Sequence, residues 1–101
     1  MKYARKVEFN LKLGKEQEFT KTFETKVAPL LQKQKGFQDE WVLTSGRQVT
    51  AISLWDTRQN AESYERTTYP KVLESLKPLV EATPKVNPCD VAFTTHHVTA
   101  L

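Results

Sequence analysis

The sequence has few of the residues that build disulfides and metal centres: one cysteine and two histidines among 101 residues. Cys89 alone cannot form an internal disulfide, as expected in a reducing compartment, and we expect its side chain to be buried on a strand. His96 and His97 are adjacent, so on an extended chain they point to opposite sides and do not form a metal site together. The sequence therefore predicts a protein that binds no metal.

Long apolar runs and nucleotide-binding motifs are also missing. The longest apolar run is far too short to cross a membrane. The charged N-terminus is not followed by the apolar segment of a signal peptide, so we expect a cytoplasmic location. No glycine-rich phosphate or dinucleotide motif occurs, and no haem or flavin ligand pattern. The net charge of +3 is spread along the chain, which makes a nucleic acid a distant alternative partner.

The composition is that of an ordinary globular protein, with 39% hydrophobic and 27% charged residues. A chain of this length is expected to form one domain, residues 1–101. Alternating apolar residues predict strands, and apolar residues three or four apart predict helices. The patterns predict these elements in order: strand 3–13, helix 15–35 with either a kink or the start of a new helical segment at Pro29, strand 37–44, strand 48–55, helices 57–66 and 70–82, and strand 86–95.

The order of these elements predicts an α+β, ferredoxin-like βαββαβ fold, a four-stranded antiparallel sheet with its helices on one face. In that plan the first and third strands are central. The third strand is apolar on both alternations, from Val49 to Trp55, so both faces of the sheet should be covered. A second copy of the chain is the simplest cover for the face without helices, and we therefore expect a homodimer.

A series of short motifs gives the sequence a family resemblance. They are Gly14-Lys15, Glu18-Phe19, Pro29-Leu30-Leu31, Lys35-Gly36-Phe37, Ile52-Ser53-Leu54-Trp55-Asp56, Tyr64 and Tyr69-Pro70. In their order and spacing the chain resembles the antibiotic biosynthesis monooxygenase (ABM)-type dimeric α/β-barrel family from about Tyr3 to Phe93. The resemblance implies a homodimer whose sheets pack face to face, with a cavity in each subunit between sheet and helices.

Some members of that family oxidise aromatic or quinol substrates with O₂ and no cofactor. Others degrade haem, but they use a helix histidine that segment 70–82 lacks. The resemblance therefore implies a cofactor-independent monooxygenase, or a related enzyme, acting on a small aromatic or quinone-like molecule. The alternative is a non-catalytic homodimer of the same fold that binds a small ligand or is purely structural.

The residues expected to carry this function are mostly aromatic. Trp55, Tyr64 and Tyr69 are the catalytic candidates, and Phe9, Phe23 and Asn10 are the substrate-binding candidates. Trp55 could instead be a core residue, which is the commoner role of a tryptophan at the end of a strand, and Tyr64 and Tyr69 could place their hydroxyls at the surface. Glu8 could serve as a base inside a dimer, or it could meet water at the open end of the sheet. RNA binding is disfavoured because segment 49–54 has neither aromatic nor basic residues.

Overall fold

The computed structural model describes residues 1–96, so the predicted placement of His97 lies outside the described residues. Within these residues the chain forms four strands and two helical regions. The elements are β1 (Tyr3–Asn10), α1 (Glu16–Thr22), a π-helical segment (Phe23–Val27), α2 (Ala28–Gln32), β2 (Phe37–Ser45), β3 (Gln48–Trp55), α3 (Arg58–Thr67), α4 (Tyr69–Leu76), a 3₁₀ turn (Lys77–Leu79) and β4 (Lys85–Asp90).

The four strands form one antiparallel sheet in the order β2-β3-β1-β4. The predicted ferredoxin-like fold is therefore confirmed, with β1 and β3 at the centre. The helices pack on one side, which we call the helix-covered face. The other side, which carries Trp41, Leu43 and Ile52, we call the open face. The core lies between the helix-covered face and the helices, and Trp55, Phe19 and Val27 are among its largest fully buried side chains.

A β-bulge between Phe37 and Asp39 interrupts the alternation of β2. Alternation alone sends Phe37 and Asp39 to the same side of the strand. The extra residue changes this, because two residues of a bulged strand oppose one residue of the partner. Phe37 and Glu40 consequently both lie on the helix-covered face, while Asp39 and Trp41 lie on the open face.

In the first helical region a new helical segment begins around Pro29, which is one of the two arrangements that the sequence predicts. A π-helical segment separates α1 from α2, and Pro29 lies in the first turn of α2. Proline has no N–H to donate into the preceding turn, so an uninterrupted α-helical hydrogen-bond ladder cannot pass through it. The backbone meets this constraint with the wider π-helical turn before α2, where the new helix begins.

The second helical region follows its prediction closely at the start. The side chain of Thr57 caps α3 by accepting a hydrogen bond from the backbone N–H of Asn60, at 3.2 Å. Thr68 ends α3, and α4 begins at Tyr69 with a proline in its first turn. The predicted end at residue 82 is wrong, because Pro78 permits only a 3₁₀ turn that ends at Leu79. No helix within residues 1–96 is long and apolar enough to cross a membrane.

Two strands are shorter than predicted. β1 ends at Asn10 instead of residue 13, and Leu11 makes only an isolated bridge to Val80. β4 ends at Asp90 instead of residue 95. The prediction that Cys89 is buried is wrong, and its side chain is exposed. β4 is an edge strand, and Cys89 pairs with Ala4 on the open face, where no helix covers it.

Candidate functional site

A small cavity lies between the helix-covered face and the helices. Its volume is about 30 Å³, room for roughly one water molecule. We call it the inner cavity. Four of the predicted site residues line it together: Phe9 from β1, Phe23 from the π-helical segment, Tyr64 from α3 and Tyr69 from α4. The structure thus brings these four to one place, although they are far apart in the sequence.

Trp55 lies just outside this group. Its ring is fully buried and packs against Tyr64 at 5.1 Å and Phe37 at 5.6 Å between ring centroids. Its indole N–H donates a 2.9 Å hydrogen bond to the hydroxyl of Ser53, which does line the inner cavity. Any action of Trp55 on a ligand in the cavity would therefore pass through Ser53 or Tyr64.

Asn10 and Glu8 lie on the open face, away from the inner cavity. Asn10 is exposed, and its backbone carbonyl accepts a hydrogen bond from Glu81. The carboxylate of Glu8 lies 3.3 Å from the ammonium group of Lys6. Neither side chain is brought to the four aromatic residues, so a role for either one would have to belong to the open face.

A row of three polar residues crosses the helix-covered face beneath the aromatic rings. Glu40 of β2 pairs with Ser53 of β3, and Ser53 pairs with Arg5 of β1. Residues paired across neighbouring strands lie side by side on the same face, and all three line the inner cavity. These are the site residues that sequence reasoning missed.

The sequence contains a signal for two of the three. Arg5 lies on the same side of β1 as the buried Tyr3, Val7 and Phe9. Ser53 lies on the same side of β3 as Ala51 and Trp55. A polar residue inside an apolar stripe is informative, because burial of a polar group is costly unless it is paired. Glu40 carries no such signal, since the bulge that turns it inward is not visible in the alternation of β2.

Arg5 brings a positive charge into this apolar layer. The residue is 3% exposed, and its guanidinium lies over the rings of Tyr69 and Tyr64, at 4.4 and 5.1 Å from their centroids. One terminal nitrogen donates to the carboxylate of Glu65 at 3.2 Å. Its Nε atom is buried and has no hydrogen-bond partner. Stacking on aromatic rings stabilises the cation but leaves this donor free.

Glu40 brings an acidic group close to that charge. Its Oε2 atom is buried without a hydrogen-bond partner. Burial raises the pKa of Glu40 from 4.5 to about 8, because the charged form is poorly solvated there; Arg5 opposes this rise and the neighbouring Asp39 adds to it. A carboxyl group with a pKa near neutrality can either accept or release a proton under ordinary conditions.

Of the two tyrosines that line the inner cavity, only Tyr69 belongs to the unpaired groups. Burial raises the pKa of Tyr64 and of Tyr69, against the opposing effect of Arg5, so both phenols stay protonated. The hydroxyl of Tyr69 has no partner of good hydrogen-bond geometry within 3.5 Å, and Arg5 approaches it only closely enough to oppose the rise of its pKa through a longer contact. Among residues 1–96, the buried side-chain polar atoms without partners are Arg5 Nε, Glu40 Oε2 and Tyr69 Oη, and all belong to residues that line the inner cavity. Such groups are rare in native proteins, and a catalytic role or a bound water or ion is the usual explanation for them.

A wider cleft opens next to the inner cavity, between β2 and the helices before it. Its volume is about 260 Å³, and we call it the outer cleft. Phe23, Leu31 and Glu40 line both spaces, so these side chains form the wall between them. Phe23 belongs to the π-helical segment, and single π-helical turns are frequent at functional sites. In the part of the chain that is described, no three His, Cys, Asp or Glu side chains are grouped to hold a metal ion.

No family model and no curated protein matches the amino-acid sequence. Solved structures do match the fold. A protein of unknown function from Nitrosomonas europaea is 14% identical and superimposes with a TM-score of 0.82, over 97% of this chain and 96% of that one. A second protein from that organism, named provisionally as an antibiotic biosynthesis monooxygenase, is 15% identical with a TM-score of 0.79, over 94% of each chain.

SnoaB, a cofactor-independent oxygenase from Streptomyces nogalater, is also similar in structure. It is 16% identical to this chain, with a TM-score of 0.78 over 95% of this chain and 98% of SnoaB. At these identities the likeness concerns the fold. The chain has the fold of the antibiotic-biosynthesis-monooxygenase-type proteins, and the predicted fold resemblance is confirmed.

Proposed function

We propose that this protein is a cofactor-independent oxygenase, or a related enzyme, that acts on a small aromatic or quinone-like molecule. One observation supports the proposal above all others: the unpaired buried polar atoms of Arg5, Glu40 and Tyr69 surround a single cavity that aromatic rings enclose. An apolar pocket with a few converging polar groups is the usual form of a small-molecule site. The fold shared with SnoaB is consistent with this chemistry.

The reaction proposed is the oxidation of an activated CH₂ group to a ketone. The substrate first loses a proton and becomes an anion, which is the species that can reduce O₂. One oxygen atom then enters the substrate as the carbonyl oxygen, and the other leaves as water with the two hydrogens of the CH₂ group. The substrate itself supplies the electrons. An apolar pocket favours the reactive, poorly solvated form of such an anion.

The proposal is tested by oxygen consumption with anthrone as the substrate. The wild-type protein should consume O₂ faster than buffer, and Tyr69→Phe should lower kcat/KM about tenfold or more by removing one unpaired donor. Tyr3→Phe is the matched control, because Tyr3 is also a buried tyrosine but does not line the inner cavity. Equal loss in both variants would count against a specific role for Tyr69. No uptake above buffer by the wild type would refute the oxygenase proposal.

A second candidate function is a non-catalytic homodimer of the same fold. The volume of the inner cavity favours it, since about 30 Å³ is far below the roughly 150 Å³ of an engineered cavity that admits benzene. On this view the aromatic residues are simply the core. This candidate predicts that the protein consumes no O₂ and that Tyr69→Phe changes neither ligand binding nor assembly.

Both candidates include self-association through the open face. Trp41 and Leu43 are 43% and 54% exposed on neighbouring alternate positions of β2, and Ile52 of β3 is only partly buried. Large apolar side chains grouped in this way are typical of an interaction surface. A two-fold dimer would cover them with a second copy of the same face. The cytoplasmic location expected from the sequence stays a prediction.

A further inference from the structure

The wall between the outer cleft and the inner cavity contains one ionisable side chain, Glu40, beside the apolar Phe23 and Leu31. The outer cleft, at about 260 Å³, approaches the lower end of the usual range for ligand pockets, roughly 300 Å³. The inner cavity has room for only a water molecule. A planar ring system would therefore have to occupy the outer cleft, with its polar atoms directed past Phe23 toward Arg5 and Tyr69, which line the inner cavity.

We infer that Glu40 is the general base of this site, and that it takes a proton from a planar keto- or hydroxy-aromatic carbon acid bound in the outer cleft. The inference rests on the proposed function and adds to it the proton acceptor and the route of entry. It is carried by the position of Glu40 in the wall shared by both spaces and by the unpaired state of its Oε2 atom.

The proton transfer is balanced within the site. A C–H bond of the substrate breaks and an O–H bond forms on Glu40. The electron pair passes into the substrate carbonyl, whose oxygen becomes negative. Arg5 is a buried cation with an unused Nε–H, and Tyr69 has an unused hydroxyl. Preorganised donors of this kind stabilise a developing oxyanion far better than bulk water does. Glu40 thus accepts the proton, while Arg5 and Tyr69 stabilise the negative charge on the substrate oxygen.

The titration of Glu40 depends on the groups that face it. Arg5 on β1 favours the charged form, while Asp39 on the same strand and the burial of Glu40 disfavour it. Tyr64 on α3 is the other titratable group close enough to sense its charge. The helical residues of the shared wall, Phe23 and Leu31, carry no charge. The base should therefore become active as the pH rises through the pKa of Glu40, about 8.

The test measures exchange of the CH₂ protons of anthrone for deuterium, by NMR, in D₂O without oxygen. The wild type should accelerate exchange, with a rate that rises through an inflection near the pKa of Glu40. Glu40→Gln should lower the rate about a hundredfold, the usual contribution of a general base, and abolish the inflection. Glu40→Asp should keep an inflection at a reduced rate. Glu24→Gln is the matched control, since Glu24 lies exposed on the π-helical segment.

The outcomes separate this inference from the proposed function. If the wild type exchanges protons, Glu40→Gln loses that exchange and no O₂ is consumed, Glu40 is supported as the base and the oxygenase proposal is refuted. If the protein consumes O₂ and Glu40→Gln exchanges as fast as the wild type, the inference is overturned and the oxygenase proposal stands. Absence of wild-type exchange at every pH overturns the inference as well. Because the inflection and its retention in Glu40→Asp are separate readouts, a misfolded Glu40→Gln protein leaves the test decisive.

Discussion

The two faces of the sheet solve different physical problems with the same strands. The helix-covered face is dry, aromatic and densely packed, yet it holds Arg5, Glu40 and the Tyr69 hydroxyl, each with an unpaired polar atom. The open face has the reverse arrangement. Its charged groups are solvated, as in the Lys6–Glu8 pair, while Trp41 and Leu43 are exposed. The helix-covered face thus carries polar groups that are usually exposed, and the open face carries apolar side chains that are usually buried.

This contrast is consistent with the different roles proposed for the two faces. Unpaired polar atoms in a core lower stability and persist where they serve a site. Exposed apolar side chains have little cost to the fold of the single chain and persist where a partner covers them. The helix-covered face is therefore suited to a small ligand and the open face to another protein surface. The segment after β4 also contacts the open face. There the imidazole of His96 lies 3.7 Å from the carboxylate of Asp39.

The largest expected effect comes from the two tryptophans, one on each face. Trp55→Ala should lower the free energy of unfolding by about 3–5 kcal/mol, because it leaves a cavity in a packed core. Trp41→Ala should change the intrinsic stability of the protomer by less than about 1 kcal/mol but weaken the dimer. Urea denaturation at fixed protein concentration measures the first effect, and sedimentation at micromolar concentration measures the second.

Similar effects of the two tryptophan substitutions on unfolding and on dimerisation would contradict the contrast between the faces. A wild-type protein that sediments as a single 11.6 kDa chain would remove the interaction surface from the open face. A Trp41→Ala variant as unstable as Trp55→Ala, measured under conditions where both are monomeric, would show that Trp41 belongs to the core. Dimerisation itself adds to apparent stability, so both variants need to be compared over a range of concentrations.

Much of the fold could be predicted from the sequence because its signals are local. β3 begins and ends where its two-sided apolar pattern does, and α3 begins after the threonine that caps it. The aromatic half of the site was also predictable, since Phe9, Tyr64 and Tyr69 lie on the buried sides of their elements. These features depend on neighbours in the sequence.

The polar half of the site depends on structure that is not local. Glu40 faces inward only because of the bulge after Phe37, and neither alternation nor composition encodes a bulge. Arg5 is buried because it lies over Tyr69 and Tyr64, about sixty residues later in the chain. The size of the cavity likewise depends on how the π-helical segment packs. Sequence patterns define faces, but they do not define which polar residues from different elements meet.

Burial of Glu40 on the helix-covered face should make the stability of the protein depend on pH. The native state holds a proton on Glu40 up to a pKa of about 8, whereas the unfolded chain releases it near 4.5. The stabilising effect of that proton is full below the unfolded pKa and is lost as pH rises through the native pKa. Wild-type stability should therefore fall between pH 5 and pH 9 more than in Glu40→Gln.

The size of this effect follows from the cost of burying charge. Each unit of pKa shift corresponds to about 1.4 kcal/mol in the free energy of unfolding. Because Glu40 is partly exposed to solvent, we expect the measured difference to be smaller than the full shift implies. We expect Glu40→Gln to be more stable than the wild type by about 1–3 kcal/mol at pH 9 and nearly equal to it at pH 5. Parallel curves of unfolding free energy against pH for the two proteins would mean that Glu40 titrates normally.

The smallest effect distinguishes two arginine–glutamate pairs that α3 contributes to. Arg58 pairs with Glu62 at 3.4 Å on the surface, and Arg5 pairs with Glu65 at 3.2 Å. Glu62→Gln should change the free energy of unfolding by less than about 0.5 kcal/mol, as for most exposed pairs. Glu65→Gln should cost about 1 kcal/mol or somewhat more, since it leaves the charge of the buried Arg5 without its partner. The half-exposed position of Glu65 keeps this cost below that of breaking a fully buried pair.

Loss of the Glu65 charge should also let Arg5 act more strongly on Glu40, so that the inflection in the rate of proton exchange moves to lower pH. Equal effects of the two substitutions on stability and on that inflection would mean that Arg5 is as well solvated as Arg58, and the inner cavity would then lose the cation on which its chemistry depends.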